Sequence, residues 1–258
     1  MHRWWVGLLT LTLATSACVH AEAQRSGGSR AEPTVGGDVT VFAAASLTEA
    51  FEQIGQTFEA EHPWATLRFN FAGSHQLAAQ IVEGAPADVF ASANGTQMDL
   101  VEAAGAVSEP EIFAGNDLQI VVEPDNPRRI TRLDDLADER VTVVLAAEEV
   151  PAGQYTRQAL EAAGVTISPV SLEADVRAVL SKVSLGEADA GIVYASDVIA
   201  AGDAVTGVEI DHDSNVSVAY PAALVEDGPN PEAGQAFLDL LTSPRGRRIL
   251  QGYGFSAP

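Results

Sequence analysis

A chain of 258 residues, 47% hydrophobic and 19% charged, holds enough apolar material for one large or two modest domains and is not a disordered polymer. Its 36 acidic residues against 14 basic ones give a formal net charge of −22, a surface that repels phosphate backbones and excludes nucleic-acid binding. The single cysteine, Cys18, excludes an internal disulfide framework and a thiolate metal cluster, and a basic set of thirteen arginines with one lysine, Lys182, suits an external or salty medium.

The first segment reads as an address. His2 and Arg3 open it, Trp4 to Ala14 form an apolar run, and Thr15-Ser16-Ala17 supply small residues before Cys18. That layout predicts a secretory signal peptide over 1–17, too short to span a bilayer as a mature helix. With its cysteine directly after the small residues, the segment resembles a bacterial lipoprotein signal, in which Cys18 is lipidated and becomes the N-terminus. Thr15 departs from the usual Leu, and ordinary cleavage near Ala21-Glu22-Ala23 is the alternative. Loss of 1–17 removes one arginine and no acid, leaving −23. Residues 18–37, with Arg25-Ser26-Gly27-Gly28-Ser29-Arg30, Pro33 and Gly36-Gly37, lack periodicity and read as a flexible tether. The domain beyond it is expected outside the cytoplasm, held at the membrane surface.

From Asp38 the chain alternates. Asp38 to Ala44 is β-branched and apolar, a buried strand. Leu47, Phe51, Ile54 and Phe58 then mark one face of a helix, with Ser46 and Glu49 in a capping-box spacing ahead of it. Ala65 to Phe71 alternates as a strand, Gly73-Ser74 opens a second helix with Leu77 and Ile81 inward, Asp88 to Ala91 is a strand, and Gln97 to Ala104 a helix. The pattern repeats with strands at Leu118 to Val122 and Val141 to Leu145, a helix from Pro151 to Ala163, and a helix that starts after Asp175 and places Val176, Val179, Leu180 and Val183 on one face. Ala190 to Tyr194 and Val216 to Val225 are strands, and Glu232 to Leu241 and Pro244 to Gln251 are helices. The alternation predicts an α/β protein with largely parallel sheets covered on both faces.

No Gly-rich phosphate loop, dinucleotide fingerprint or nucleophile elbow is present, and the histidines lack metal-binding spacing. Asp211-His212-Asp213 reads as a solvated loop rather than a cation site. What repeats is a small polar residue, or a Pro-Ala-Gly turn, at a strand-to-helix junction: Ser46, Ser74, Pro151-Ala152-Gly153 and Asp175-Val176. Helix N-termini carry unpaired N–H groups and partial positive charge, so several of them around one crevice bind an anion without lysine or arginine. Such crevices lie beyond the carboxyl ends of the strands in open α/β sheets. Each serine taken alone is as well explained as an N-cap.

Several blocks, in order over residues 38 to 256, resemble the periplasmic molybdate-binding proteins of ABC importers. They are Val39 to Thr48 (VTVFAAASLT), Phe71-Ala72-Gly73-Ser74 with Gly84 to Phe90, Val150 to Tyr155, Asp175-Val176-Arg177, Gly191 to Asp197, Tyr220-Pro221 and Tyr253-Gly254-Phe255. The resemblance implies a two-lobed type II periplasmic binding protein fold, each lobe a mostly parallel sheet flanked by helices, closing on a tetrahedral oxyanion. Lobe one would be 38–117 with 222–258, and lobe two 118–221. The implied ligand contacts are the hydroxyls of Ser46 and Ser74, the backbone N–H groups of Ala152 and Val176, and the hydroxyl of Tyr194. No cofactor and no catalytic residue is implied. The implied protein is a monomer that hands molybdate, or tungstate of the same charge and nearly the same shape, to a membrane permease. Tyr194 at a strand end could equally be an ordinary half-buried tyrosine, and the Val176 side chain belongs to the core.

Two residues depart from the family beside the ligand. Glu49 would compete with a dianion for the helix terminus and is expected to point outward; His75, after Ser74, is expected to face solvent. A sulfate-type receptor is the alternative within the class. From another class comes an acid–base enzyme on the same fold using His75 or Asp88, although Asp88, opening a buried strand, reads better as a partner of backbone groups.

Overall fold

In the computed structural model, which describes residues 35–258, alternating short apolar runs and amphipathic segments form ten strands and eight helices. In chain order these are β1 (Gly36–Ala44), α1 (Thr48–Glu61), β2 (Trp64–Ala72), α2 (Ser74–Val82), β3 (Val89–Ala91), α3 (Gly95–Ala103), β4 (Val107–Asn116), β5 (Leu118–Val122), β6 (Val143–Ala146), α4 (Pro151–Ala163), β7 (Ser171–Glu173), α5 (Val176–Ser184), β8 (Ala190–Tyr194), α6 (Ala195–Ala201), β9 (Thr206–Glu209), β10 (Val218–Val225), α7 (Pro231–Thr242) and α8 (Pro244–Gly252). The signal peptide 1–17, the Cys18 lipidation site and the tether as far as residue 34 lie outside the described residues. At the tether's end, Gly36 already pairs with Trp64 in β1.

Two five-stranded sheets result, in the orders β2-β1-β3-β10-β4 and β7-β6-β8-β5-β9. Within each, strands joined through a helix run parallel: β1 with β2 and β3, and β6 with β7 and β8. The strands that carry the chain between sheets add antiparallel pairings, β10 with β3 and β4, and β5 with β8 and β9. Both sheets are therefore mixed. The chain leaves the first sheet between Asn116 and Leu118 and rejoins it at Val218, which pairs with Asn116.

Four elements have no counterpart in the sequence pattern: β4, β7, α6 and β9. In β4, Pro110 and the positive φ of Glu109 (49°) break the alternation, and they are tolerated because β4 is an edge strand. The strands β7 and β9 are three and four residues long and lie at the edges of the second sheet, too short to carry a period.

The helical face read from sequence packs as expected. Leu47, Phe51, Ile54 and Phe58 are fully buried, with Phe51 and Phe58 edge-on to Phe237 of α7 at 5.7 and 6.0 Å. Gly164 ends α4 in the left-handed region (φ 68°), a conformation that costs glycine nothing. Asp88 does what a buried carboxylate must. Its oxygens accept the backbone N–H of Thr40 at 2.7 Å and of Asn230 at 2.5 Å, tying β1 and the start of α7 to β3.

Candidate functional site

The four junctions singled out in the sequence meet at one place. A cavity of about 220 Å³, counting its open mouth, is lined by Ala44, Ala45, Ser46, Ala72, Gly73, Ser74, Ala93, Val150, Pro151, Ala152, Asp175, Val176 and Tyr194. All five residues of the expected ligand set are among them. The first sheet contributes the β1–α1 and β2–α2 turns; the second contributes the start of α4, the start of α5 and the end of β8. Among the described residues, no lysine or arginine lines the space.

The polar groups are disposed as donors. Neither serine caps a helix. Residues Ala45–Leu47 make a turn of 3-10 helix ahead of α1 with no side-chain cap, so the capping box expected from Ser46 and Glu49 does not form. Ser74 is the first residue of α2, preceded by Gly73. Their hydroxyls are held from elsewhere in the chain. The Ala93 N–H donates to Ser74 Oγ at 3.0 Å, which leaves the serine's one hydrogen unused. Ser46 Oγ lies 3.0 Å from Tyr220 Oη.

On the second sheet the donors are backbone. Ala152 and Val176 stand in the first turns of α4 and α5, where N–H groups have no intrahelical partner. Gly153 lets α4 seat there, since a Cβ at that position would lie 2.0 Å from the Ala147 carbonyl oxygen. Gly73 allows the sides to approach, because its Cβ would come within 2.8 Å of the Ala174 carbonyl. Tyr194 is 1% exposed rather than half-buried, and its hydroxyl is buried with no hydrogen-bond partner among the described residues. Burial holds its pKa well above the usual value, so it is a donor. The one acid in the lining, Asp175, has its carboxylate turned onto the Ala178 N–H at 2.9 Å as the α5 N-cap.

Charges gather just behind this lining and neutralise one another. Arg177 pairs with Glu49 of α1 and, at 3.0 Å, with the fully buried Asp197 of α6, although that Nε–H is not aligned on the oxygen. The other Asp197 oxygen accepts the Tyr194 N–H at 3.1 Å. Desolvation raises the Asp197 carboxyl to about 6, opposed by Arg177. Glu49 therefore does not point outward as expected. It is half-exposed and spent on an arginine of the opposite sheet's helix, because a cation 128 positions away in sequence is its nearest partner. His75 likewise does not face solvent. It is half-buried, its Nδ1 has no partner, and burial lowers its pKa against the raising influence of Glu149 and Asp175. It does not line the cavity. Asp211, His212 and Asp213 are exposed.

Sequence reasoning missed Asn94, whose amide donates to Gln154 of α4 at 2.9 Å and bridges the two sides. It also missed the roles of Asn116, Arg177 and Asp197; the Tyr194-to-Asp197 spacing of three at a strand-to-helix junction was the available signal.

Two sheets with their helices, connected by crossing strands and enclosing a small donor-lined cavity, define the class of solute-binding receptors. The family described as bacterial extracellular solute-binding protein matches residues 39–256, and the chain belongs to it. It is 40% identical over 259 residues to the molybdate-binding protein ModA of Mycobacterium tuberculosis, covering 98% of this chain and 99% of that one. To the molybdate-binding protein ModA of Haemophilus influenzae it is 36% identical over 230 residues, 85% of this chain and 90% of the other. The structure of the sulfate-binding protein SubI of Mycobacterium tuberculosis has the same fold, with a TM-score of 0.78 at 17% identity over 85% and 86% of the two chains. The protein is a binding receptor, not an enzyme. Of the two residues named for the enzyme alternative, Asp88 has both carboxylate oxygens occupied by backbone N–H groups, and His75 does not line the cavity.

Proposed function

We propose that this receptor binds molybdate in the cavity between the two sheets and delivers it to the permease of an ABC importer. The observation that carries the reading is the donor set: two serine hydroxyls, the N–H groups of Ala152 and Val176, and a buried tyrosine hydroxyl, which among the described residues has no hydrogen-bond partner and no cation beside it in the lining. A dianion without hydrogens accepts from every such group and asks for no acceptor in return. The two ModA relatives, matched over most of their length, favour molybdate among tetrahedral oxyanions; tungstate fits the same donors.

The working parts follow from the same reading. Lobe one is 38–117 with 222–258 and lobe two is 118–221. Its crossings are the Asn116-to-Leu118 link and the register shift of β10 at Tyr220-Pro221. The lobes close on the ligand by a hinge motion. The protein acts as a monomer, anchored outside the cytoplasmic membrane through a lipid on Cys18 after removal of 1–17. Titration calorimetry with molybdate, tungstate, sulfate and phosphate tests the ligand. Saturable binding of molybdate and tungstate, with sulfate much weaker because a smaller tetrahedron leaves some donors beyond hydrogen-bond distance, is the expected result; equal affinity for sulfate overturns the molybdate assignment.

A further inference from the structure

We infer that Tyr220 is a positioning residue for the ligand, one that never touches the anion but aims the hydrogen of Ser46 into the cavity. The inference rests on the oxyanion reading of the site. A serine hydroxyl has one hydrogen and two acceptor sites, so it serves an anion only if its hydrogen is not drawn to another acceptor. At Ser74 the matter is settled by a backbone N–H, which can only donate. At Ser46 the partner is another hydroxyl, Tyr220 Oη at 3.0 Å, and either oxygen could in principle supply the hydrogen.

Two features set the direction. A phenolic O–H is the stronger acid, titrating near pH ~10 in the reference state, and so the better donor and the poorer acceptor of the two. Burial raises Tyr220 further, so the phenol keeps its hydrogen. The second feature is Asn116. Its amide nitrogen donates to Ser196 Oγ at 2.8 Å and turns its other hydrogen toward Tyr220 Oη at a long 3.5 Å. The Asn116 oxygen cannot rotate into that place without losing the Asp117 N–H, which it accepts at 3.0 Å. The hydrogens therefore run one way: Asn116 to Tyr220, Tyr220 to Ser46, Ser46 to the cavity.

The ring is fixed as such a role requires. Tyr220 is fully buried and meets Phe113, Tyr194 and Phe255 edge-on, with ring centroids at 6.3, 5.8 and 5.4 Å. It stands on β10 beside the Tyr220-Pro221 register shift, while Asn116 ends β4 and Ser196 lies on α6. The chain of hydroxyls and amide thus runs from the ligand cavity to both sides of the crossing between sheets.

The test is a double-mutant cycle read by molybdate titration calorimetry on the purified protein. Tyr220→Phe keeps the ring and is expected to weaken binding about five- to tenfold, the worth of about one hydrogen bond. Combined with Ser46→Ala it should add no further loss, since the hydrogen it aims is gone. Combined with Ser74→Ala it should multiply the loss in full. Unchanged affinity in Tyr220→Phe, or the same fold-loss in both backgrounds, overturns the inference; a purely structural tyrosine would give the second result. Should Tyr220→Phe not fold, Asn116→Leu is put through the same cycle with the same two outcomes. If Ser46→Ala and Ser74→Ala both leave affinity unchanged, it is the oxyanion site itself that fails.

Discussion

The two walls of the cavity solve one problem by different means. The wall from the first sheet uses serine hydroxyls already engaged by the protein, Ser74 by the Ala93 N–H and Ser46 by Tyr220. The wall from the second sheet uses N–H groups in the first turns of α4 and α5, which have no intrahelical partner, and the Tyr194 hydroxyl, which has no hydrogen-bond partner among the described residues. On the first wall the serine oxygens are fixed by the protein and only their hydrogens are left for a ligand; on the second the Tyr194 hydroxyl has no fixed partner at all, at a cost of about 1–3 kcal/mol while buried and unpaired.

The largest effect should come from breaking the second wall's backbone. A Cβ at Gly153 would fall 2.0 and 2.6 Å from the carbonyl oxygens of Ala147 and Ala146, which backbone cannot yield cheaply. Gly153→Ala is expected to cost ~3 kcal/mol of stability, the upper end of overpacking, and to weaken molybdate binding more than about a hundredfold (~2.7 kcal/mol) by moving the Ala152 N–H. Denaturant melts and titration on the same preparation check both.

Next is Asp197, which holds Tyr194 from behind. Its carboxyl rises from 3.8 to about 6 through burial, so the folded protein binds a proton there more readily than the unfolded chain. Its contribution to stability is therefore fully present below about pH 4 and lost as pH rises through about 6. At ~1.36 kcal/mol per unit this is on the order of 2–3 kcal/mol. Unfolding free energies of wild type and Asp197→Asn between pH 4.5 and 7.5 should diverge in favour of wild type as pH falls; parallel curves would show that Asp197 does not titrate in this range.

The walls can also be told apart directly. Ser46→Ala, Ser74→Ala and Tyr194→Phe should each weaken binding about ten- to a hundredfold, the worth of a hydrogen bond to a charged group at ~1.5–3 kcal/mol. Their effects on the unliganded protein should have opposite signs. The serine variants strand a buried Tyr220 hydroxyl or Ala93 N–H and should melt lower, whereas Tyr194→Phe removes a donor that had no partner and should melt at the same temperature or higher. A lower melting point for Tyr194→Phe without ligand would erase the distinction.

Glu49 spans the walls through Arg177. Both side chains are partly exposed, 36% and 21%, so the pair is worth only ~0.2–1 kcal/mol, and Glu49→Gln should weaken binding less than about fivefold, with the difference fading in high salt. Tighter binding instead would mean that Glu49 repels the anion, as its place near a helix start suggests from sequence. The smallest effect is expected at His75. A histidine facing the dianion would have its pKa raised in the complex, and affinity would grow as pH fell. Because His75 does not line the cavity and burial already lowers its pKa, affinities of wild type and His75→Gln from about pH 5.5 to 8, around the reference value, should superimpose.

The sequence by itself determined the alternation and the places where strand hands over to helix. Those signals are local: the spacing of Leu47, Phe51, Ile54 and Phe58, the Pro at the start of α4, the Asp175 cap and the glycines past helix ends all act within a turn or two of themselves. They were enough to pick out the junctions at Ser46, Ser74, Pro151-Ala152-Gly153 and Asp175-Val176, all of which reach the cavity lining; Tyr194 entered the ligand set only through the family resemblance. Tertiary structure decided what local pattern does not carry. It took Ser46 away from its capping role and gave it to Tyr220, 174 positions on, and it turned Glu49 toward Arg177, 128 positions on. It buried Tyr194 with an unsatisfied hydroxyl and turned largely parallel sheets into mixed ones by threading the crossing strands antiparallel. The physical reason is common to all four. Direction of a hydroxyl hydrogen, choice of an ion-pair partner and strand orientation at a crossing depend on groups that are neighbours only after the chain has folded, and no period of 2 or 3.6 residues encodes them.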